Sequence, residues 1–128
     1  MSTPIAVIED DHDILDLLID FLADYGIEAV GVAPRLEAIR TLPQRPGAVL
    51  VDLMLPGISG IDVAREVQVV FPGTPMLAMS ASRLMLDVAA ASGLFDAHLS
   101  KPFDLSLLLE SARAALAVGR YLPSFAAP

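Results

Sequence analysis

The sequence predicts an α/β domain built on a parallel sheet. Short apolar runs alternate five times with stretches of helical periodicity, and the turns between them are brief and rich in Pro and Gly. Apolar residues make up 55% of the chain, as expected when strands are covered on both faces. Right-handed crossovers then put helices on both sides of the sheet.

The elements follow in order. Pro4 to Ile8 reads as a buried first strand. Ile14, Leu15, Leu18, Ile19 and Leu22 recur at helical spacing in a first helix that Gly26 stops, while Asp13, Asp16, Asp20 and Asp24 line its other face. Glu28 to Val32 forms the second strand, and Pro34 to Leu42 a second helix opened by proline. The third strand is Ala48 to Val51. The turn cluster Pro56-Gly57-Ile58-Ser59-Gly60 leads into a third helix over Ile61 to Phe71. Met76 to Met79 makes the fourth strand, ending at Ser80. A fourth helix spans Ser82 to Ser92, a fifth strand Ala97 to Ser100, and a fifth helix Asp104 to Val118. Gly119 to Pro128 lacks helical periodicity and reads as a tail or linker stub, so the domain is placed at residues 1–118 and the tail at 119–128.

Three of these strands end in charge. Ile5-Ala6-Val7-Ile8 runs into Glu9-Asp10-Asp11, Ala48-Val49-Leu50-Val51 into Asp52, and Ala97-His98-Leu99-Ser100 into Lys101. In an open parallel sheet such ends meet at one edge, where ligands bind. A carboxylate closing an apolar run is costly unless a cation or a hydrogen-bond partner meets it. Asp11 and Asp13 are accounted for as caps of the first helix. Asp52 caps nothing, since Leu53-Met54-Leu55-Pro56-Gly57 follows it. Converging carboxylates with oxygen ligands around them make a Mg²⁺ pattern. Lys101, followed by proline, supplies a compact cation suited to a phosphate oxygen or an unliganded aspartate, and the Lys101-Pro102 bond is a candidate for the cis form. Ser80 brings a hydroxyl to the same edge.

Composition narrows the function. The 128 residues make one domain with room for a single core. A formal charge of −8 argues against nucleic acid as a direct partner. The absence of cysteine removes disulfides, thiolate nucleophiles and thiolate metal sites. With no leader and no apolar stretch of membrane-spanning length, a cytoplasmic protein with no membrane partner is expected.

In this order and spacing, Ile8-Glu9-Asp10-Asp11, Val51-Asp52-Leu53-Met54-Leu55-Pro56-Gly57 with Gly60, Ser80-Ala81 and Lys101-Pro102-Phe103 resemble the receiver domain of bacterial two-component response regulators. The resemblance covers the chain to about Val118. It implies a flavodoxin-like (βα)5 three-layer sandwich with strand order 2-1-3-4-5. It further implies that Asp52 is the phosphoacceptor for a phosphohistidine on a histidine kinase or phosphotransfer protein. Glu9, Asp10, Asp52 and the backbone carbonyl of Met54 would hold Mg²⁺, and Lys101 and Ser80 would meet phosphoryl oxygens. Catalysis would be confined to the domain's own phosphorylation and dephosphorylation, with a downstream effector protein or domain reading the result.

Three positions depart from the family's habit. His98 stands where a Tyr or Phe switch residue is usual, so imidazole there would make the switch pH-responsive. Ser80 stands where Thr is commoner. Arg83 to Ala91 is more apolar than the usual fourth helix, and Leu84, Met85 and Leu86 cannot all face one core. Either the helix is deeply buried or it exposes an apolar patch for a partner, a homodimer among the forms that takes. The alternative to a phosphorylatable receiver is a phosphorylation-independent interaction module on the same fold, disfavoured by the intact residue set. A small flavodoxin-like or phosphatase-like enzyme is a third option, and no phosphate-cradling glycine loop supports it.

Overall fold

The computed structural model describes the backbone of residues 3–126 and the side chains of residues 3–118. In chain order the elements are β1 (Ile5–Ile8), α1 (His12–Asp24), β2 (Ala29–Gly31), α2 (Leu36–Arg40), β3 (Ala48–Asp52), β4 (Met54–Leu55), β5 (Ile58–Ser59), α3 (Gly60–Val70), β6 (Met76–Ser80), α4 (Arg83–Ser92), β7 (Ala97–Ser100) and α5 (Leu105–Ala126). The main sheet has five parallel strands in the order β2-β1-β3-β6-β7. With the small β4–β5 hairpin set aside, this is the expected 2-1-3-4-5 order.

Strand alternation builds two cores, one on each face of the sheet. Ala6, Ile8, Val49, Val51, Met76 and Ala78 pack with Ile39 of α2, Val63, Ala64 and Val67 of α3, and Leu86 and Ala89 of α4. Ile5, Val7, Ala48, Leu50, Leu77, Met79 and Leu99 pack with Leu18 and Leu22 of α1 and Leu108, Ala112 and Ala115 of α5. The three central strands, β1, β3 and β6, are therefore buried on both faces, which explains their unbroken apolar character, whereas the edge strands β2 and β7 each leave residues exposed.

The same alternation sorts the charged residues that follow. Glu9 continues the Ile5, Val7 parity, Asp52 that of Ala48 and Leu50, and Lys101 that of Ala97 and Leu99, so all three belong to the α1/α5 side. Ser80 continues the Met76, Ala78 parity and belongs to the α4 side. Register aligns them along the edge. Ile8 is opposite Val51, Asp52 opposite Met79, and Ser80 opposite Ser100, so the ends of neighbouring strands lie within one register step of each other.

Local structure departs from the sequence reading in three places. Residues 54–59, read as a plain turn cluster, form an antiparallel hairpin pairing Met54 with Ser59 and Leu55 with Ile58. Pro56-Gly57 closes it, with Gly57 at φ 76°, a conformation that favours glycine. The second helix is only Leu36–Arg40, because Arg35 at its N-cap makes no side-chain bond to free backbone N–H groups. The last helix does not end at Val118: its backbone continues to Ala126, so residues 119–126 extend α5 where a tail was expected. Apolar periodicity fades after Val118, and that pattern was the only local signal for helix there.

Helix α4 divides its apolar residues. Leu86 is buried, Met85 packs half-buried against the core, and Leu84 and Val88 are 71% and 44% exposed. The choice between a buried helix and an exposed patch is therefore settled residue by residue. Leu86→Ala is expected to cost about 2–4 kcal/mol in denaturant unfolding. Leu84→Ser should stay within about 0.5 kcal/mol of wild type.

Candidate functional site at the carboxyl edge of the sheet

Asp52 closes β3 and is 6% exposed. Its Oδ1 accepts the backbone N–H of Met54 at 2.9 Å, which turns the carboxylate across the strand end. Its Oδ2 accepts a hydrogen bond from Lys101 Nζ at 2.9 Å. The same ammonium donates to Glu9 Oε1 at 2.6 Å. Lys101 is the chain's single lysine, delivered by β7 and followed by the cis bond to Pro102 that its sequence context suggested. Two of its three protons are thus committed, leaving one to offer.

Glu9 is buried, whereas Asp10 beside it is exposed. Asp11 is a cap, as expected: its Oδ1 accepts the N–H groups of Asp13 at 3.0 Å and Ile14 at 3.2 Å. Glu9, Asp10 and Asp52 each bring a carboxylate oxygen within 4.8 Å of the others. Two oxygens on one Mg²⁺ lie about 3 Å apart when adjacent and about 4 Å when opposite, so the spacing of this acidic cluster is of the order that one ion would require.

Burial pushes the Glu9 carboxyl up to about 7; the Lys101 hydrogen bond lowers it, and the hydrogen bond and charge of Asp52 raise it again. Burial works against the charge on Lys101, yet its bonds to Glu9 and Asp52 raise it overall. Because native Glu9 holds its proton more tightly than the unfolded chain, the stability it contributes is full below about pH 4.5 and is lost as pH rises through about 7. Metal-free Glu9→Gln is therefore expected to gain melting temperature over wild type at about pH 8 and to lose that advantage at about pH 4. An unchanged difference at both values would contradict the assignment.

Ser80 is fully buried, and its Oγ accepts the N–H of Ser82 at 3.0 Å, leaving its own proton to donate. Ser82 in turn caps α4, its Oγ accepting the Met85 N–H at 3.2 Å. Two short bonds therefore join the hydroxyl at the strand end to the start of α4. His98 is exposed on β7, with its ring edge-on to Phe95 at 6.2 Å between centroids. It shares the α4 side of the sheet by parity but lies away from the carboxylates' side.

Sequence reading gave Gly60 no role of its own, and the structure does. A Cβ there would stand 2.4 Å from the Asp52 carbonyl oxygen and 2.6 Å from Leu53 Cα. Gly60 N–H donates to the Leu53 carbonyl at 3.1 Å, so α3 begins pressed against the backbone that carries the aspartate. The Gly-Ile-Ser-Gly spacing hinted at a turn; only the fold shows what the second glycine touches.

A parallel sheet of this order, with a buried aspartate, two further acids and a lysine at its carboxyl edge, defines a receiver-type domain. Residues 5–113 match the response regulator receiver domain family, and the chain belongs to it. It is 33% identical over 119 residues to the DNA-binding response regulator MtrA of Mycobacterium tuberculosis, a match covering 91% of this chain and 51% of that protein. It is 30% identical over 118 residues to the response regulator MprA of Mycobacterium ulcerans, again covering 91% of this chain and 51% of the relative. The chain thus spans about half the length of these curated relatives. Among solved structures, the receiver domain of a sensor histidine kinase from Pseudomonas aeruginosa, which holds magnesium in its active-site cleft, aligns with TM-score 0.78 at 25% identity over 91% of this chain and 99% of that one. A CheY-like receiver from Methanospirillum hungatei aligns with TM-score 0.79 at 23% identity over 94% and 98%. The chain is therefore a signalling domain of two-component systems. Among the described residues, no helix is long and apolar enough to cross a membrane.

Proposed function

We propose that Asp52 accepts a phosphoryl group from a phosphohistidine of a histidine kinase or phosphotransfer protein. The observation that carries this is the pose of Asp52: buried, with one oxygen held by the Met54 N–H and the other by Lys101, beside two more carboxylates. An Asp52 oxygen bonds to phosphorus as the bond from phosphorus to the donor's imidazole nitrogen breaks, giving an acyl phosphate. Lys101 turns its free proton to a phosphoryl oxygen, and Ser80 offers its hydroxyl proton to another. The residue set fits Mg²⁺: Glu9, Asp10, Asp52 and the backbone carbonyl of Met54 would hold it. When bound, the ion supplies charge neutralisation, which phosphoryl transfer needs more than covalent help from side chains. Catalysis extends only to the domain's own loading and unloading.

The response is proposed to pass from Ser80 through Ser82 to α4, along the two hydrogen bonds that connect them. His98 and the exposed Leu84 and Val88 lie on the side where an effector, or a second copy, would read the change. His98→Phe should leave phosphorylation intact while altering partner binding. Binding that stays the same at every pH tested would remove His98 from the switch. A cytoplasmic setting belongs to the same reading.

The reading is tested with beryllofluoride, a phosphoryl mimic, added with Mg²⁺ and followed by fluorine NMR. Wild type is expected to give a bound signal that needs Mg²⁺ and is absent in Asp52→Asn. No bound signal in wild type would favour the phosphorylation-independent module. Because Glu9 must shed its proton to serve as a ligand, Mg²⁺ affinity should rise from about pH 6 to about pH 8. A titration showing equal affinity at both would contradict Glu9 as a ligand.

A further inference from the structure

The chain has five methionines and no cysteine, so thioethers are its only oxidisable sulfur. Met76 and Met79 are fully buried in β6, and Met85 is half-buried against the core. Met54 is 59% exposed. Among the described residues it is therefore the thioether most open to a dissolved oxidant. Its place is not neutral. Its N–H holds Asp52 Oδ1 at 2.9 Å, and it opens the β4–β5 hairpin opposite Ser59, the residue whose Oγ caps α3. Any polar change on this side chain thus falls within a side-chain length of the reacting carboxylate.

We propose that Met54 is a modification site: hydrogen peroxide converts its thioether to the sulfoxide, and this lowers the phosphoryl loading of Asp52. The step is balanced as a two-electron oxygen transfer. The sulfur lone pair takes one peroxide oxygen, the O–O bond breaks, sulfur is oxidised, and the peroxide is reduced to water. The product carries a strong acceptor oxygen in place of an apolar sulfur. On the residue whose N–H holds Asp52, the negative end of that dipole disfavours a further anion at the carboxylate, and the hydrated group brings water toward the acyl phosphate. Both effects act in the same direction, against loading. The change is chemically reversible by sulfoxide reduction, as befits regulation as much as damage.

The consequence for Asp52 rests on its reading as phosphoacceptor; the order of oxidation does not. The full chain is treated with graded hydrogen peroxide, and each methionine is followed by peptide mapping without any phosphodonor. Met54 is expected to oxidise ahead of Met76, Met79 and Met85; any of those reacting first overturns the inference whether or not Asp52 is ever phosphorylated. The oxidised and untreated proteins are then compared for steady-state labelling by acetyl phosphate and for Mg²⁺ affinity. Peroxide should lower labelling several-fold in wild type and leave Met54→Leu at its own untreated level. Equal losses in both proteins, or stoichiometric sulfoxide at Met54 with labelling unchanged, would overturn it. Where untreated wild type takes no label, the phosphoacceptor reading has failed, and Mg²⁺ affinity decides alone: a drop on oxidation of wild type but not of Met54→Leu supports the site, and no drop overturns it.

Discussion

Replacing Lys101 by methionine is expected to lower acetyl phosphate labelling of Asp52 by about 10²-fold or more, the usual loss when one preorganised donor to a developing oxyanion is removed. It should also destabilise the metal-free fold. Among the described residues, Lys101 Nζ is the only cation bonded to Glu9 and Asp52, at 2.6 and 2.9 Å, and both acids are buried. Removing one partner of a buried pair leaves the other charge uncompensated, at about 3–5 kcal/mol when burial is complete. The lysine side chain here is 18% exposed and Glu9 already holds its proton up to about pH 7, so about 2 kcal/mol is the expected loss at neutral pH. The loss should shrink as the pH falls and Glu9 takes up its proton. Unfolding curves that give the same difference at acid and neutral pH would show that packing, rather than charge, is what Lys101 contributes.

Gly60→Ala is expected to be as damaging, although it adds only one methyl group and removes no charge. The contacts at 2.4 and 2.6 Å are with the Asp52 carbonyl oxygen and Leu53 Cα, backbone atoms that cannot swing aside. Either α3 retreats from β3 or the strand end that carries Asp52 shifts. Overpacking of this kind costs about 1–3 kcal/mol, occasionally more, and labelling should fall with it because the nucleophile moves. Gly57→Ala is the informative control. It meets nothing within 4 Å but must hold φ near 76°, so it should cost only about 1 kcal/mol and leave labelling near wild type. If the two alanine variants behave alike, the close approach of α3 to Asp52 is not the operative feature.

Much of this was legible before any coordinates, and for a physical reason. A strand buried on both faces must be apolar throughout, so its end is marked by the first residue that cannot be buried cheaply. That rule located Glu9 and Asp52, and Lys101 stood out as the charge that follows the shorter run Ala97 to Ser100; that all three share one side of the sheet emerged only with the two cores. Register was not legible, because it depends on pairing between segments some forty residues apart, such as Ile8 with Val51. The β4–β5 hairpin escaped notice because two-residue strands carry no period. The end of α5 was misplaced because a helix can continue where its apolar stripe stops. The division of α4 between Leu86 inside and Leu84 outside followed from helical geometry only once the axis was fixed. His98 was assigned to the switch by position alone. Its exposed, edge-on contact with Phe95 is what the structure adds.

The central claim is that Asp52 carries the phosphoryl group. Intact-protein mass spectrometry after incubation with acetyl phosphate and Mg²⁺ tests it most directly, on wild type and Asp52→Asn side by side. Wild type should gain the mass of one phosphoryl group, lose it on treatment with hydroxylamine as an acyl phosphate does, and show none of it when Mg²⁺ is chelated; Asp52→Asn should gain nothing. An unlabelled wild type, or an Asp52→Asn variant labelled to the same extent, would contradict the account.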